Sequence, residues 1–319
     1  MRERFAPSPT GDLHLGGAYV ALAAFLRARA TGGAFVVRME DLDPPRVVPG
    51  AADRILDDLC WLGLGWDEGP RVGGPFAPYE QSRRQGRYDA AIAELAARGL
   101  VYPCTCTRAE IARAASAPHA GEEGPRYPGT CRDPARRREG RPAALRLRVP
   151  DEIIRFVDAI AGARAENVAE TVGDFVLRRA DGVASYQLAV VVDDLEMRID
   201  EVVRGDDLLP STARQVLLAR LLGGEPPRWV HLPLVLGPDG ERLAKRHQSR
   251  FRGSTVAELR EAGVAAEEIV GVLAAALGVT DAPRPAAPDA LIAAARERAP
   301  ARTAPFHVPE AWVRPRASH

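Results

Sequence analysis

Apolar and polar positions along this chain switch repeatedly between strand-like and helix-like spacing. Arg4 to Pro7 reads as a short strand, Ala18 to Ala30 as a helix and Ala34 to Glu40 as a second strand, with Thr31-Gly32-Gly33 as the stop between helix and strand. Two strands joined by a helical crossover lie parallel in one sheet, so the strand ends at Ala6 to Pro9 and Glu40 to Asp43 open on one edge, where ligands of such sheets bind. Helical spacing returns from Ala51 to Leu64 and from Arg83 to Arg98, around a Gly/Pro-rich loop at Gly69 to Pro78.

From Cys104 to Pro150 the periodicity fades and Arg, Pro and Gly dominate, which predicts an inserted, loop-dominated subdomain. Phe175 to Arg179, the turn Ala180-Asp181-Gly182 and Ala184 to Asp193 then read as strand, turn and strand. Glu201 to Gly205 is another strand edge, and Ser211 is placed to cap a helix running to about Leu222. Val230 to Leu236 is a short apolar strand closed by Gly237-Pro238-Asp239-Gly240. Val256 to Leu277 is helical, Ala282 to Pro288 is too rich in proline for either element, and one more helical patch spans Asp289 to Arg298. There is no internal repeat. The reading is an α/β fold with a parallel sheet, its first half at 1–100, an insertion at 101–150, its second half at 151–250 and a helical part at 251–319.

Composition narrows the class. With 319 residues and 46% hydrophobic content the chain can bury one large core or a core plus a satellite. Lys plus Arg and Asp plus Glu are both 43, so any nucleic-acid partner must be held by local patches. The N-terminal sequence lacks a stretch suited to a signal peptide and no apolar run reaches spanning length, which predicts a cytoplasmic protein without a membrane partner. The four cysteines, Cys60, Cys104, Cys106 and Cys131, suit metal binding or burial better than disulfides. Cys60, beside Trp61 and Leu62, reads as core.

Two segments carry candidate chemistry. Pro7-Ser8-Pro9-Thr10-Gly11-Asp12-Leu13-His14-Leu15-Gly16-Gly17 runs from a strand end into a helix start, where backbone N–H groups face the crevice and stabilise a phosphate chain. Gly16 and Gly17 let a purine or phosphate approach the backbone, and His14 can donate to a phosphate oxygen. Gly240-Glu241-Arg242-Leu243-Ala244-Lys245-Arg246-His247 is a basic loop after a strand and turn, able to clamp a triphosphate as charge builds at phosphorus.

These residues resemble bacterial glutamyl-tRNA synthetases. The segment from Arg4 to Gly11 with His14-Leu15-Gly16-Gly17 resembles the family's opening, the last four matching its HIGH signature, and Arg38 to Asp43 resembles its second strand end. Arg242 to His247 resembles the mobile KMSKS loop, with Arg242 in place of the first Lys and Ala244 in place of Ser, while Lys245 is retained. Tyr186 and Val202-Val203-Arg204-Gly205 match segments between them. The resemblance implies a class I synthetase catalytic domain of the Rossmann type that uses ATP and Mg²⁺. It assigns His14 and Lys245 to catalysis, and His14, Gly16, Gly17 and Lys245 to ATP. Arg4 and Arg204 become partners of the glutamate carboxylate, with Ala6, Ser8, Glu40 and Tyr186 around the rest of the amino acid.

Cys104-Thr105-Cys106 and Cys131 offer three thiolates for a structural zinc, one per chain. From the residues alone the fourth ligand is His119 or water; the resemblance favours Tyr127, because a short subgroup of the family carries Cys-x-Cys and Tyr-x-x-x-Cys here. That subgroup, the glutamyl-queuosine tRNA(Asp) synthetases, lacks an anticodon-binding half and attaches glutamate to queuosine in the anticodon of tRNA(Asp). Arg132, Arg136, Arg137, Arg138, Arg141, Arg146 and Arg148 form a basic cluster for phosphate contacts or a solvated loop. The partners implied are queuosine-containing tRNA(Asp), L-glutamate and ATP, with no obligate protein partner. The other readings are a truncated synthetase charging the 3′ end of tRNA(Glu), a non-catalytic RNA-binding paralogue, and a nucleotidyltransferase of the same superfamily.

Overall fold

The computed structural model describes residues 1–114, 126–237, 251–298 and 305–315. In chain order its elements are β1 (Arg2–Phe5), α1 (Leu15–Ala30), β2 (Ala34–Val37), α2 (Ala51–Trp61), α3 (Gln85–Ala97), β3 (Val101–Cys104), α4 (Arg108–Ala114), β4 (Ala144–Leu147), β5 (Ile153–Asp158), β6 (Gly162–Asn167) and α5 (Val168–Thr171). They continue as β7 (Val176–Arg178), α6 (Tyr186–Glu196), β8 (Glu201–Gly205), α7 (Thr212–Leu221), β9 (Arg228–Leu232), β10 (Val235–Leu236) and β11 (Phe251–Arg252). The last are α8 (Val256–Glu261), α9 (Ala266–Ala276), α10 (Ile292–Glu297), β12 (Phe306–His307) and β13 (Arg314–Pro315).

The main sheet runs β2-β1-β8-β9-β5-β6, parallel from β2 to β5 with an antiparallel edge at β6. The chain leaves β1 through α1 to β2 on one side, whereas β8 flanks β1 on the other. The carboxyl ends of β1 and β8 therefore form a topological switch point, the place where such sheets open a crevice.

Side-chain alternation gives the two faces different chemistry. Phe5, Phe35, Val37, Val203 and Val230 pack with α1, α2 and α9 in one apolar core. The opposite face buries Val36, Val202 and Trp229 against α3, α6 and α7. That second core also encloses Arg4, Arg38, Arg204 and His231, all no more than 4% exposed. Buried cations of this kind persist only with fixed partners.

Several expectations are corrected. Ala184 to Asp193 is no strand: α6 begins at Tyr186, and Ser185 caps it by accepting from the Leu188 N–H at 3.3 Å. Residues Leu188 to Asp194 are buried without interruption, so the segment shows no amphipathic stripe, and its three consecutive valines look strand-like. The insertion is less loop-dominated than its composition indicates, for β3 and β4 pair antiparallel and β7 completes a three-stranded sheet. The β5–β6 hairpin was not anticipated. Val230 to Leu236 splits into the end of β9 and β10, and Val256 to Leu277 into α8 and α9. Ser211 occupies the cap position of α7 without capping it through its side chain. Cys60 is exposed, because a helical step of about 100° per residue carries it about 140° round from the buried Ile55.

The segment at 305–315 forms a strap: β12 pairs parallel with β10 and β13 antiparallel with β11, the strands that precede and follow positions 238–250 in the sequence. Gly253 takes φ +77° there, and a Cβ at that position would lie 1.9 Å from the Trp312 carbonyl oxygen. No helix among the described residues is long and apolar enough to cross a membrane.

Candidate active site

Pairing between β1 and β2 continues past the strand ends. Arg38 N donates to Phe5 O at 3.0 Å and Glu40 N to Pro7 O at 2.9 Å, so Ala6 and Ser8 lie beside Glu40 at the switch point. Ser8 is exposed and Ala6 half-buried. The loop is pinned further by Val48 N donating to Pro9 O at 3.0 Å.

His14 is the N-cap of α1: its Nδ1 accepts from the Gly17 N–H at 3.0 Å. In the neutral ring this leaves the proton on Nε2, which makes the outer nitrogen a donor. At Gly17 a Cβ would come within 2.8 Å of Leu13 Cδ1, so a larger residue would have to push that side chain aside. The loop also joins the later chain, with Leu15 N donating to Ser254 O at 3.0 Å and Val256 N to Leu13 O at 2.9 Å.

Behind the loop lies a buried charge lattice. Arg38 Nη1 donates to Asp194 Oδ1 at 2.7 Å and Nη2 to Glu40 Oε1 at 3.2 Å. Arg4 Nε donates to the same Asp194 oxygen at 3.4 Å and its Nη1 to Val203 O at 3.3 Å. Asp193 accepts from Arg84, Gln81 and Tyr88 at 2.6, 2.7 and 2.9 Å. Burial pushes the Glu40 carboxyl above its ordinary range, although Arg38 and Arg4 pull it down. Burial acts on Asp194 in the same sense, but the same two arginines outweigh it and hold Asp194 low.

Arg204 is drawn toward Tyr186, Nη1 to Oη, at 3.5 Å. Burial lifts the Tyr186 hydroxyl above its usual acidity range against the pull of Arg204. Tyr186 is not the strand aromatic that spacing suggests; as the first residue of α6 it keeps 37% of its surface exposed. The fold thus gathers Arg4, Glu40, Tyr186 and Arg204 around one crevice, with His14, Gly16 and Gly17 on the adjoining loop. Lys245 lies outside the described residues.

The Sγ atoms of Cys104, Cys106 and Cys131 all lie within 4.8 Å of one another, Cys106 and Cys131 at 3.5 Å. Tetrahedral thiolates around zinc stand about 3.8 Å apart, so the triad fits that ion. Cys104 Sγ donates to Tyr127 Oη at 3.3 Å and Cys106 Sγ lies 4.0 Å from the same oxygen, which makes Tyr127 a neighbour of the triad; His119 lies outside the described residues. Burial pushes the Cys106 thiol up to about 12. Burial acts likewise on Cys131, but hydrogen bonds from Thr105, Cys106 and Tyr127 bring it down to about 7. Thiols this close ionise together only around a cation.

The arginines of the insertion are largely engaged within it. Arg132 forms a forked pair with Asp174 at 2.6 Å to each oxygen, and Arg138 and Arg141 share Glu110. Arg146 lies over the Tyr127 ring at 3.9 Å and Arg148 over Tyr102 at 4.8 Å.

Sequence reasoning did not single out Asp194, Asp158, His231 or Gln215. An aspartate in a helix or a histidine in a strand carries no local signal; only the fold brings them behind the crevice.

A family model for the catalytic domain of class I tRNA synthetases (E and Q) matches residues 1–284. Glutamyl-Q tRNA(Asp) synthetase of Symbiobacterium thermophilum is 52% identical over 296 residues, 91% of this chain and 90% of that protein. The protein of the same name from Nitratidesulfovibrio vulgaris is 50% identical over 285 residues, 88% of this chain and 87% of that one. The crystal structure of glutamate-tRNA synthetase from Elizabethkingia anophelis superimposes with a TM-score of 0.82 at 32% identity, over 98% of this chain and 68% of that chain.

Proposed function

This chain belongs to the catalytic-domain family of class I tRNA synthetases for glutamate and glutamine, and from that premise we propose that it activates L-glutamate with ATP, without tRNA, and transfers it to queuosine in the anticodon of tRNA(Asp). The observation that carries this reading is the meeting of Arg4, Glu40, Tyr186 and Arg204 at the switch-point crevice. A substrate with one ammonium and two carboxylates needs a site holding fixed charge of both signs. Arg4 and Arg204 serve the carboxylates, Glu40 the ammonium, and Tyr186, Ser8 and the backbone at Ala6 line the amino acid.

In the first step an α-carboxylate oxygen of glutamate attacks the α-phosphorus of ATP, the bond to the bridging oxygen breaks, and pyrophosphate leaves with its electron pair. The protein supplies position and charge rather than a covalent intermediate. His14 donates from Nε2 to a phosphate oxygen, the backbone at Gly16 and Gly17 admits the nucleotide, and Lys245 meets the charge growing on the phosphates. Mg²⁺ accompanying ATP neutralises phosphate charge. In the second step a hydroxyl of the queuosine cyclopentene-diol attacks the activated carbonyl carbon, AMP leaves, and the hydroxyl proton passes to solvent. Cys104, Cys106, Cys131 and Tyr127 would hold a structural zinc that rigidifies the insertion.

The test is transfer of labelled glutamate to purified tRNA(Asp) with and without queuosine, tRNA(Glu) alongside, with periodate protection locating the ester. Labelling confined to queuosine-containing tRNA(Asp) is expected. A label at the 3′ end of tRNA(Glu) would replace this reading with that of a minimal translation synthetase.

A further inference from the structure

Arg204 is held on nearly every side. Nε donates to His231 Nε2 at 3.0 Å, Nη1 to Gln215 Oε1 at 2.8 Å, and Nη2 to Thr212 Oγ1 at 3.0 Å and Leu208 O at 3.2 Å. The Trp229 ring lies under the guanidinium at 4.8 Å and stacks on His231 at 6.1 Å between centroids. The remaining direction, Nη1 toward Tyr186 Oη at 3.5 Å, is the longest of the set.

The contact with His231 constrains the imidazole. An arginine has no acceptor, so Nε2 must offer a lone pair and the ring proton must sit on Nδ1. Asp158 Oδ2 lies 2.6 Å from Nδ1 and also accepts from the His231 N–H at 3.1 Å. Its other oxygen accepts from the N–H groups of Ile160 and Ala161 at 2.9 and 2.7 Å. The carboxylate is therefore immobile, and three groups from β5, β9 and β8 stand in line.

We propose that Asp158 and His231 are positioning residues of the glutamate pocket: the carboxylate sets the imidazole tautomer, and the imidazole sets the rotation of Arg204 so that one Nη1–H faces the crevice beside Tyr186. That N–H meets the side-chain carboxylate of glutamate. The assignment rests on the proposed function for the identity of the ligand, while the relay is a property of the chain alone.

Protonation of His231 would turn its acceptor into a donor and break the line. The charged groups facing the ring are Asp158 from β5, Arg204 from β8 and Arg4 from β1. Burial holds the imidazole below its ordinary range of about 6.5, Asp158 opposing and both arginines assisting. The relay is then intact at neutral pH and fails only in acid.

The experiment compares the full chain with His231→Leu, His231→Gln and Asp158→Asn in glutamate-dependent ATP–pyrophosphate exchange. His231→Leu is expected to raise KM for glutamate about 10- to 100-fold, the cost of orphaning a buried charged donor, with KM for ATP within about twofold. Gln can place an amide oxygen near the Nε2 position, so His231→Gln restores most of the affinity and abolishes the acid rise in glutamate KM. A folded His231→Leu with unchanged glutamate KM overturns the proposal. So does an equal rise in both KM values that Gln does not repair. Imidazole ¹⁵N NMR of the wild-type chain at neutral pH reads the tautomer without turnover: a proton on Nδ1 supports the relay and a proton on Nε2 overturns it. Failure of the wild type to activate glutamate would sink the functional reading, and the NMR result would still decide the relay.

Discussion

Arg84 Nε and Asp193 Oδ1 meet at 2.6 Å with neither side chain exposed to solvent. Arg38 Nε stands 3.6 Å from the other oxygen of the same carboxylate. One aspartate on α6 thus compensates two buried guanidinium groups. Asp193→Ala is expected to cost about 3–5 kcal/mol in urea unfolding, because it leaves both cations buried with less compensation. Asp193→Asn, which keeps an acceptor, should cost less; equal stability of all three proteins would refute the lattice as a stabilising unit.

Asp58 is buried within α2, and its Oδ2 has no hydrogen-bond partner among the described residues. Burial, with Asp12 assisting, raises its carboxyl to about 7. Its folded value lies above the unfolded one, so its contribution to stability is full below about pH 4 and fades as pH rises through about 7. Asp58→Asn should match the wild type at low pH and exceed it by roughly 1–3 kcal/mol above pH 8. Parallel melting curves across that range would remove the basis for this assignment.

Cap and chemistry can be separated at His14. His14→Ala loses both, with about 1 kcal/mol of stability and at least ~10²-fold in glutamate activation. Asparagine is a strong N-cap but carries no donor at the Nε2 position, so His14→Asn should recover the melting temperature and not the exchange rate. Recovery of both would show that His14 acts only as a cap.

Purified protein should contain about one zinc per chain by elemental analysis. Cys131→Ser should lose the metal and expose the insertion to proteolysis while the main sheet stays folded. A metal-free protein with a protease-resistant insertion would exclude the site.

At Gly253 a methyl group has nowhere to go, given the Trp312 carbonyl and the positive φ. Gly253→Ala is expected to lower stability by more than ~1 kcal/mol and to release the segment at 305–315 to limited proteolysis. Unaltered cleavage would mean that the β11–β13 pairing does not hold that segment.

The sequence revealed its first strand, helix and strand because Thr31-Gly32-Gly33 punctuates them and the apolar period changes there. Glu40 and Arg204 could be placed at strand ends for the same reason. Helix α6 was illegible: buried on all sides, it has no polar face to give it away, and Val190, Val191 and Val192 mimic a strand. Position around the helix, not neighbouring residue type, decides the exposure of Cys60. Asp158 and His231 are ordinary residues until β5, β8 and β9 lie side by side. The insertion misled through composition, since its arginines are tied to Asp174, Glu110 and aromatic rings rather than spread through a loop.

The strap has a consequence for the order of synthesis. β10 and β11 flank the segment carrying Lys245, yet their partners β12 and β13 emerge from the ribosome much later. The sheet core can condense while both flanks are still unpaired, because its parallel strands all lie upstream. A nascent chain stalled before Phe306 would already hold all its parallel strands and still lack the two short pairings on the strands that border positions 238–250 in the sequence.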